Sequence, residues 1–457
     1  MSAISQISHF FNLWQFDDDQ KSLRSKMVRG GFGVGCIKVL SCVISLLLGI
    51  ILARYLGAEK YGIYAYAFAI SSTLTVFAEA GLPTLLLREV AALETQEKWG
   101  KLRGLFLRAL QLNLATSFCI VCIATIYFWF YNRNMQFDLQ CKTLILAILL
   151  LPLSTMIKLF SSVLSGLQHV VLATGISELI RPGIVLLLIG GLFFLYPSVR
   201  QPHYAMAVQL LSQAAILSLF TVLLIRLLPR YIFAVKSCYD TRYWFTTSFS
   251  FALMSGAGIL NSQADILLLG FFRTPNEVGL YRVAMQGAGL VAFGLQAANT
   301  IVAPQFSRLY AQSDLERLQR LVSVSAKVIL LSAVPLALAF IFAGEYILRL
   351  LFGKEYISGH IPLAILSAGQ LINAAMGSVG FLLTMTGHEK VVVKTFIGTA
   401  IFNLAANAAL VPAFGIVGAA IATAIVTTVW NIILYKLVQK RLGINSTAFA
   451  GNWKIWK

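Results

Sequence analysis

The sequence predicts an all-α polytopic membrane protein with about twelve transmembrane helices in two six-helix lobes around a central cavity. Three observations carry that expectation. Hydrophobic residues make up 58% of the 457-residue chain and charged residues only 12%, with a mean hydropathy of +0.80; a soluble domain carries about twice that charge. Apolar runs of the ~20 residues that cross a hydrocarbon core recur along nearly the whole chain, and they do not alternate in the two-residue period of an outer-membrane barrel strand. Finally, a segment of the first half recurs in the second with the same order of features.

Taken in order, the candidate spans are 34–56, 62–83, 104–131, 143–164, 172–196, 204–227, 246–272, 279–303, 327–350, 361–385, 392–411 and 414–437. The breaks at Gly57-Ala-Glu-Lys60 and Arg273-Thr-Pro-Asn-Glu277 are polar turns, and Val411-Pro-Ala-Phe-Gly415 carries the proline and glycine that end a helix. The expected organisation is a tail at 1–33, a first lobe at 34–227, a linker at 228–245, a second lobe at 246–437 and a basic tail at 438–457. Alternate loops differ in charge. One set, with both tails, holds most of the Lys and Arg, whereas the other holds only Lys60, Arg133, Lys142, Arg200, Arg273 and Lys354. Cytoplasmic loops retain basic residues, so both termini are expected in the cytoplasm, and the net charge of +18 needs no nucleic acid to explain it. No cleavable signal peptide is read in the polar first 30 residues.

The repeat is specific in its details. Leu52-Ala-Arg-Tyr-Leu-Gly57 leads into Glu59-Lys-Tyr-Gly62-Ile-Tyr64, a span, Arg88 and a charged stretch. Leu268-Leu-Gly-Phe-Phe272 leads into Glu277-Val-Gly279-Leu-Tyr281, a span, Arg308 and a similar stretch. Six spans separate the copies, so the lobes share an orientation and are related by an axis along the membrane normal. The Gly-x-Tyr pair itself reads as a hairpin cap with an interfacial tyrosine.

Leu52 to Tyr64, running on to Ala80-Gly-Leu-Pro-Thr-Leu-Leu-Leu-Arg-Glu-Val90, resembles the opening of the bacterial polysaccharide-transport flippases, which translocate O-antigen and exopolysaccharide units. These belong to the multidrug/oligosaccharidyl-lipid/polysaccharide exporter superfamily. Ala264-Asp-Ile-Leu-Leu-Leu-Gly270 and Val411 to Thr423 resemble the opening of that family's second lobe and its last hairpin. The resemblance spans about residues 30–440. It implies alternating access in a bacterial inner membrane, with an oligosaccharide on a polyprenyl pyrophosphate as cargo, membrane lipids as surroundings, and a polysaccharide polymerase and chain-length proteins as partners in the pathway.

Ionisable side chains inside spans are costly and usually face a cavity. In the first lobe these are Lys38, Glu79, Arg108, Lys158, Glu178 and Arg181, a net positive set near the basic end of their helices. Arg181, Lys158, Lys38, Arg108 and, at the start of the following loop, Arg88 are the candidates for holding a pyrophosphate, which guanidinium and ammonium groups suit. Lys38 and Arg108 lie shallow enough to snorkel to the headgroups, whereas Arg181 lies deep. Glu178, three residues before Arg181, is an expected ion-pair partner, with a bend at Pro182. Glu178, Glu79, Asp265 and Arg282 are the candidates for gating or ion coupling. For Asp265 and Arg282 the simpler reading is a structural pair closing the hairpin. Amides of the second lobe, among them Gln286, Asn373, Asn403 and Asn407, suit either sugar hydroxyls or helix association.

No GxxxxGK[ST] phosphate loop occurs, so the chain is not expected to hydrolyse ATP. The five histidines are dispersed, and Cys119-x-x-Cys122 lies in an apolar run without a second ligand pair, so neither metal nor cofactor is expected. An enzyme of polymer assembly, a polymerase or ligase, needs an extramembrane chamber that the short loops do not offer. A drug or metabolite antiporter of the same superfamily is the closer rival, with an acidic and aromatic cavity expected in place of a cationic one. A major-facilitator transporter is disfavoured because its Gly-x3-Asp-Arg-x-Gly-Arg loop is absent between the second and third spans.

Overall fold

Helices carry almost all of the chain because backbone polar groups have no water to bond in a bilayer and must be satisfied within each span. The structure, a computed structural model, describes residues 21–131, 138–228 and 235–449, with side chains from Gly33 onward except at 127–131 and 301. The first lobe comprises α1 (Lys21–Glu79), α2 (Leu82–Thr95), α3 (Trp99–Tyr131), α4 (Leu139–Gly166), α5 (Val170–Leu195) and α6 (Pro202–Leu227). The second comprises α7 (Thr241–Phe272), α8 (Pro275–Ala311), α9 (Leu315–Phe342), the short α10 (Gly344–Leu351), α11 (His360–Met376), α12 (Val379–Met385) and α13 (Glu389–Leu442).

Ten helical segments among the described residues are long and apolar enough to cross a membrane. Two of them, α1 and the last helix α13, cross twice. Ile37 and Ile51 lie against the Gly175 and Gly190 positions of α5, so the first half of α1 runs with α5. Ser71 and Glu79 bond Ala147 and Lys158 of α4, so its second half runs with α4. Because α4 and α5 form a hairpin across which Ser177 meets Ser161, the chain must reverse between the two halves of α1. It does so at Gly57, with φ 76° and ψ 170°. In α13, Asn407 and Thr423 both donate to Asp265; an unbroken helix would hold them about 24 Å apart. The reversal is at Gly415, φ 55° and ψ −132°. Twelve passes result.

Buried apolar residues form three cores with a telling distribution. One is shared, running from Leu52–Ala69 of α1 through α4, α5 and α6 into α8, α9 and α11, and so joins both lobes toward the hairpin end. The other two lie toward the basic end and are separate: one in the first lobe, taking in Leu85, Phe160 and Phe220, and one in the second, taking in Phe306, Leu382 and Val438. The lobes are thus fused at the hairpin face and each packs on itself at the basic face. Trp244 of α7 belongs to the first lobe's core, so the packing seam falls within α7 rather than in the linker.

The repeated glycines make the fusion possible. A Cβ on Gly62 would overlap the Pro275 carbonyl oxygen, and one on Gly279 would overlap the Ala58 carbonyl oxygen. Only hydrogen fits at either crossing point. Around this contact Glu355 accepts from the Ala58 N–H at 3.0 Å, Tyr356 donates to the Ala53 carbonyl at 3.1 Å, and Arg54 donates to the Leu350 and Leu351 carbonyls.

Three span limits differ from the sequence reading. The span expected at 327–350 is α9, which begins at Leu315 because Leu318 and Val322 turn inward beneath an Asp314 cap, and Glu345 falls in the separate amphipathic α10. The span expected to reach residue 83 stops at Glu79, where Ala80 and Gly81 adopt φ 46° and 75° before the interfacial α2. The span expected at 361–385 is interrupted at Gly377, φ 72°.

Candidate functional site

The repeated Gly-x-Tyr motif builds two polar centres, one in each lobe. Neither tyrosine is interfacial, contrary to the sequence reading. Tyr64 is 6% exposed and Tyr281 fully buried, because each follows a glycine that draws its helix against the other lobe.

In the first centre Tyr61, Tyr64 and Phe68 stack along one face of α1, with centroids 6.3 Å apart at each step. Gln209 of α6 donates to the Tyr64 hydroxyl at 3.0 Å. Two arginines from different lobes act electrostatically on these phenols, Arg181 of α5 on Tyr64 and Arg282 of α8 on Tyr61 and Tyr64. Among the described residues neither guanidinium has a carboxylate oxygen within 4.0 Å. Arg181 is half-buried.

The expected Arg181–Glu178 ion pair is not formed. Residues Gly175–Ile180 are a π-helical turn, whose wider winding departs from the 3.6-residue period that the expected pair assumes; Glu178 still acts on Arg181 electrostatically, without a contact within 4.0 Å. Glu178 is exposed, and its backbone carbonyl accepts from Ser41 Oγ at 2.6 Å. The expected Asp265–Arg282 pair is also absent, since adjacent residues on α8 point about 100° apart: Tyr281 takes Asp265, and Arg282 turns toward the first lobe.

The remaining first-lobe charges are dispersed. Lys158 Nζ lies 2.8 Å from Oε1 of buried Glu79, which neutralises it as a cargo ligand. Beside that pair runs a polar seam in which Asn113 donates to Thr155 at 3.1 Å and Ser154 to Gln213 at 2.7 Å. Arg88 is exposed, 3.7 Å from Glu89, and both meet the Tyr243 hydroxyl of α7. Lys38 is exposed on α1. Arg108 is exposed at the basic end of α3, over the Tyr239 ring at 4.9 Å.

The second centre is the Asp265 carboxylate, 2% exposed. Oδ2 accepts from Tyr281 Oη and Thr423 Oγ1, both at 2.6 Å, and Oδ1 accepts from Asn407 Nδ2 at 2.9 Å. Asn403 Oδ1 lies 2.8 Å from that same Nδ2, and Asn407 Oδ1 is buried without a partner. One carboxylate, two amides and two hydroxyls offer a compact oxygen-rich cluster suited to a proton or a small hard cation. Other second-lobe amides join helices: Asn431 donates to Asn373 at 3.0 Å, and Gln286 to the Ser45 carbonyl at 2.9 Å.

With this geometry in place, the comparisons with known proteins agree on the family. The profile of the family described as "Polysaccharide biosynthesis protein" matches residues 51–359. Membrane protein MJ1068 of Methanocaldococcus jannaschii, itself uncharacterized, is 25% identical over 88% of this chain and 82% of its own. The probable low-salt glycan biosynthesis flippase Agl15 of Haloferax volcanii is 25% identical over 41% of this chain and 39% of its own length. Among solved structures, an inward-facing multidrug resistance MATE transporter of the MOP superfamily superposes with a TM-score of 0.72 at 15% identity, over 88% of this chain and 94% of that one. The lipid II flippase MurJ superposes with 0.69 at 15% identity, over 89% and 87%. The chain is therefore a multi-pass membrane protein with the MOP transporter fold and belongs to the polysaccharide biosynthesis protein family.

Proposed function

We propose that the protein flips a lipid-linked oligosaccharide, carried on a polyprenyl pyrophosphate, from the cytoplasmic to the opposite leaflet of the plasma membrane by alternating access. The translocated unit feeds surface-glycan assembly, with a polymerase and chain-length proteins downstream. The observation that carries this reading is the convergence of Arg181 and Arg282, one from each lobe and neither ion-paired, on Tyr61 and Tyr64. A doubly charged pyrophosphate supplies the counter-charge, and gripping it draws the lobes together. The tyrosine faces and Gln209 suit the first sugar, since pyranose rings stack on aromatic surfaces and bond amides. Lys38 and Arg88 then act as an outer basic approach rather than as the grip itself, with the basic face and both termini in the cytoplasm.

Asp265 supplies ion coupling in this scheme. A proton or small cation there reorganises Tyr281, whose chain neighbour Arg282 holds cargo. Glu79 takes no part in cargo binding, since it balances Lys158, and Glu178, exposed and near Arg181 without pairing with it, adds no contact to the grip. The antiporter alternative, export of cationic drugs, is disfavoured by a cleft that concentrates two unpaired guanidinium groups.

The test is reconstitution in liposomes with a fluorescent polyprenyl-pyrophosphate oligosaccharide on the outer leaflet. Flipping is expected to fall at least tenfold in both Arg181→Ala and Arg282→Ala, with partial recovery in the lysine variants. Undiminished flipping in both alanine variants overturns the assignment.

A further inference from the structure

A separate pocket lies at the basic face, where the start of α7 packs against α2 and α3 of the first lobe. Leu82 and Leu85 of α2, Leu105 and Leu112 of α3, and Trp244 and Phe249 of α7 line a cavity of about 140 Å³ whose walls are almost wholly apolar. It shares no residue with the Tyr61–Arg181–Arg282 group. Phe249 and its neighbour Phe245, 59% and 64% exposed, stand at its lips, so the cavity opens sideways toward the acyl chains. One charged residue lines it, Arg108, held by Gln111 Oε1 at 3.2 Å and by the Tyr239 ring.

This volume is close to that of an engineered apolar cavity that admits benzene, and well under the ~300 Å³ at which drug-sized sites begin. It takes a short stretch of hydrocarbon chain. An apolar slot with one guanidinium at its basic end matches an amphiphile with an anionic head and a hydrocarbon tail, and the plane of that end is where lipid phosphates lie. We propose that this pocket is a binding site for an anionic phospholipid of the surrounding leaflet, with its phosphate on Arg108 and part of one acyl chain between α2, α3 and α7. A resident lipid is favoured over the tail of the cargo because the slot is closed on its inner side by Ala80, whose carbonyl accepts from Ser248, and Gly81, packed on Ser248 and Ala252. Those contacts lie between it and the rest of the protein interior. Since its walls come from α2, α3 and the start of α7, a lipid lodged there favours the packing of α7 on the first lobe seen here.

The test uses the full-length protein in mild detergent with equal amounts of phosphatidylglycerol and phosphatidylcholine, read by native mass spectrometry. Both lipids carry a phosphate, but the choline ammonium offsets its charge in phosphatidylcholine; the net negative headgroup beside one arginine predicts about a fivefold excess of retained phosphatidylglycerol in the wild type. Arg108→Gln is expected to remove the excess and Arg108→Lys to keep most of it. Leu112→Trp, which fills the mouth, should reduce retention of both lipids. Arg181→Ala should leave the excess unchanged, which keeps this result separate from the cargo site. No headgroup preference in the wild type, or a preference that survives Arg108→Gln, overturns the proposal. So does exchange of the retained phosphatidylglycerol for equimolar polyprenyl phosphate, which would make the slot part of the cargo path.

Discussion

Replacing Gly62 with alanine tests the fusion of the lobes most directly. Its α-hydrogen points at the Pro275 carbonyl oxygen of α8, and a methyl there would overlap that oxygen, the carbonyl carbon and the Gly279 nitrogen. All are backbone atoms, so no rotamer change relieves the overlap; the lobes must separate by a fraction of an ångström or more. Overpacking of this kind costs about 1–3 kcal/mol, and the cost falls only on the state in which the hairpins touch. The ratio of closed to open hairpin face should therefore drop by about 5- to 150-fold. Gly279→Ala, against the Ala58 carbonyl, should behave alike, and the double variant should show less than the summed effect because one separation relieves both overlaps. Spin labels at Lys60→Cys and Asn276→Cys, both exposed at this face, report the separation by electron–electron resonance in a background free of the native cysteines. A distance distribution unchanged from wild type in both glycine variants would refute the claim that this contact seals the face.

Three further outcomes follow from the same geometry. Asp265→Ala removes the acceptor for Tyr281, Thr423 and Asn407 and should destabilise the protein by about 2–4 kcal/mol, read by thermal unfolding in detergent; Asp265→Asn should retain most stability but lose any dependence of flipping on an imposed proton or sodium gradient. Lys158→Met leaves Glu79 buried beside an apolar neighbour and should lower the unfolding temperature, while adding Glu79→Gln restores it; an equal loss in the double variant would show that the pair is not the cause. Glu355→Ala takes away the acceptor of the Ala58 N–H and should open the hairpin face in the same spin-label assay, by less than Gly62→Ala because one net hydrogen bond is worth about 1 kcal/mol.

Span number, span type and the basic asymmetry of the loops were legible because they depend on composition over ~20-residue windows. The hairpin breaks at Gly57 and Gly415 were also legible, since glycine there permits backbone angles that other residues resist. Side-chain pairing was not. Glu178 and Arg181 look like partners under a 3.6-residue period, but the π-helical turn between them changes the period, and nothing in Gly175-Ile-Ser-Glu-Leu-Ile180 announces it. Asp265 was visible as a buried acid, yet its partners come from residues far along the chain, and only a knowledge of which helices touch selects Tyr281 and Thr423 over Arg282. Tyr61, Tyr64 and Gln209, which form the first polar centre, were not among the sequence candidates. The signal was present in the repeated Gly-x-Tyr, but a tyrosine near a helix end is usually interfacial, and the burial that distinguishes this case arises between the lobes.

The two centres are linked by covalent adjacency. Tyr281 and Arg282 are successive residues of α8, one bound to the Asp265 cluster inside the second lobe and the other reaching across to Tyr61 in the first. A helix transmits rotation and translation almost rigidly over one residue, so a change at Asp265 that shifts Tyr281 by even half an ångström must move the base of the Arg282 side chain by a similar amount. The glycine that allows α8 to approach the first lobe lies two residues earlier, at Gly279, and its counterpart Gly62 precedes Tyr64 by the same interval. The proposed ion site, the proposed cargo grip and the lobe contact therefore fall within a single turn of one helix and its repeat. For that reason the short Gly-x-Tyr motif, rather than the more numerous loop cations, is the part of this chain best placed to couple an ion to a change in access.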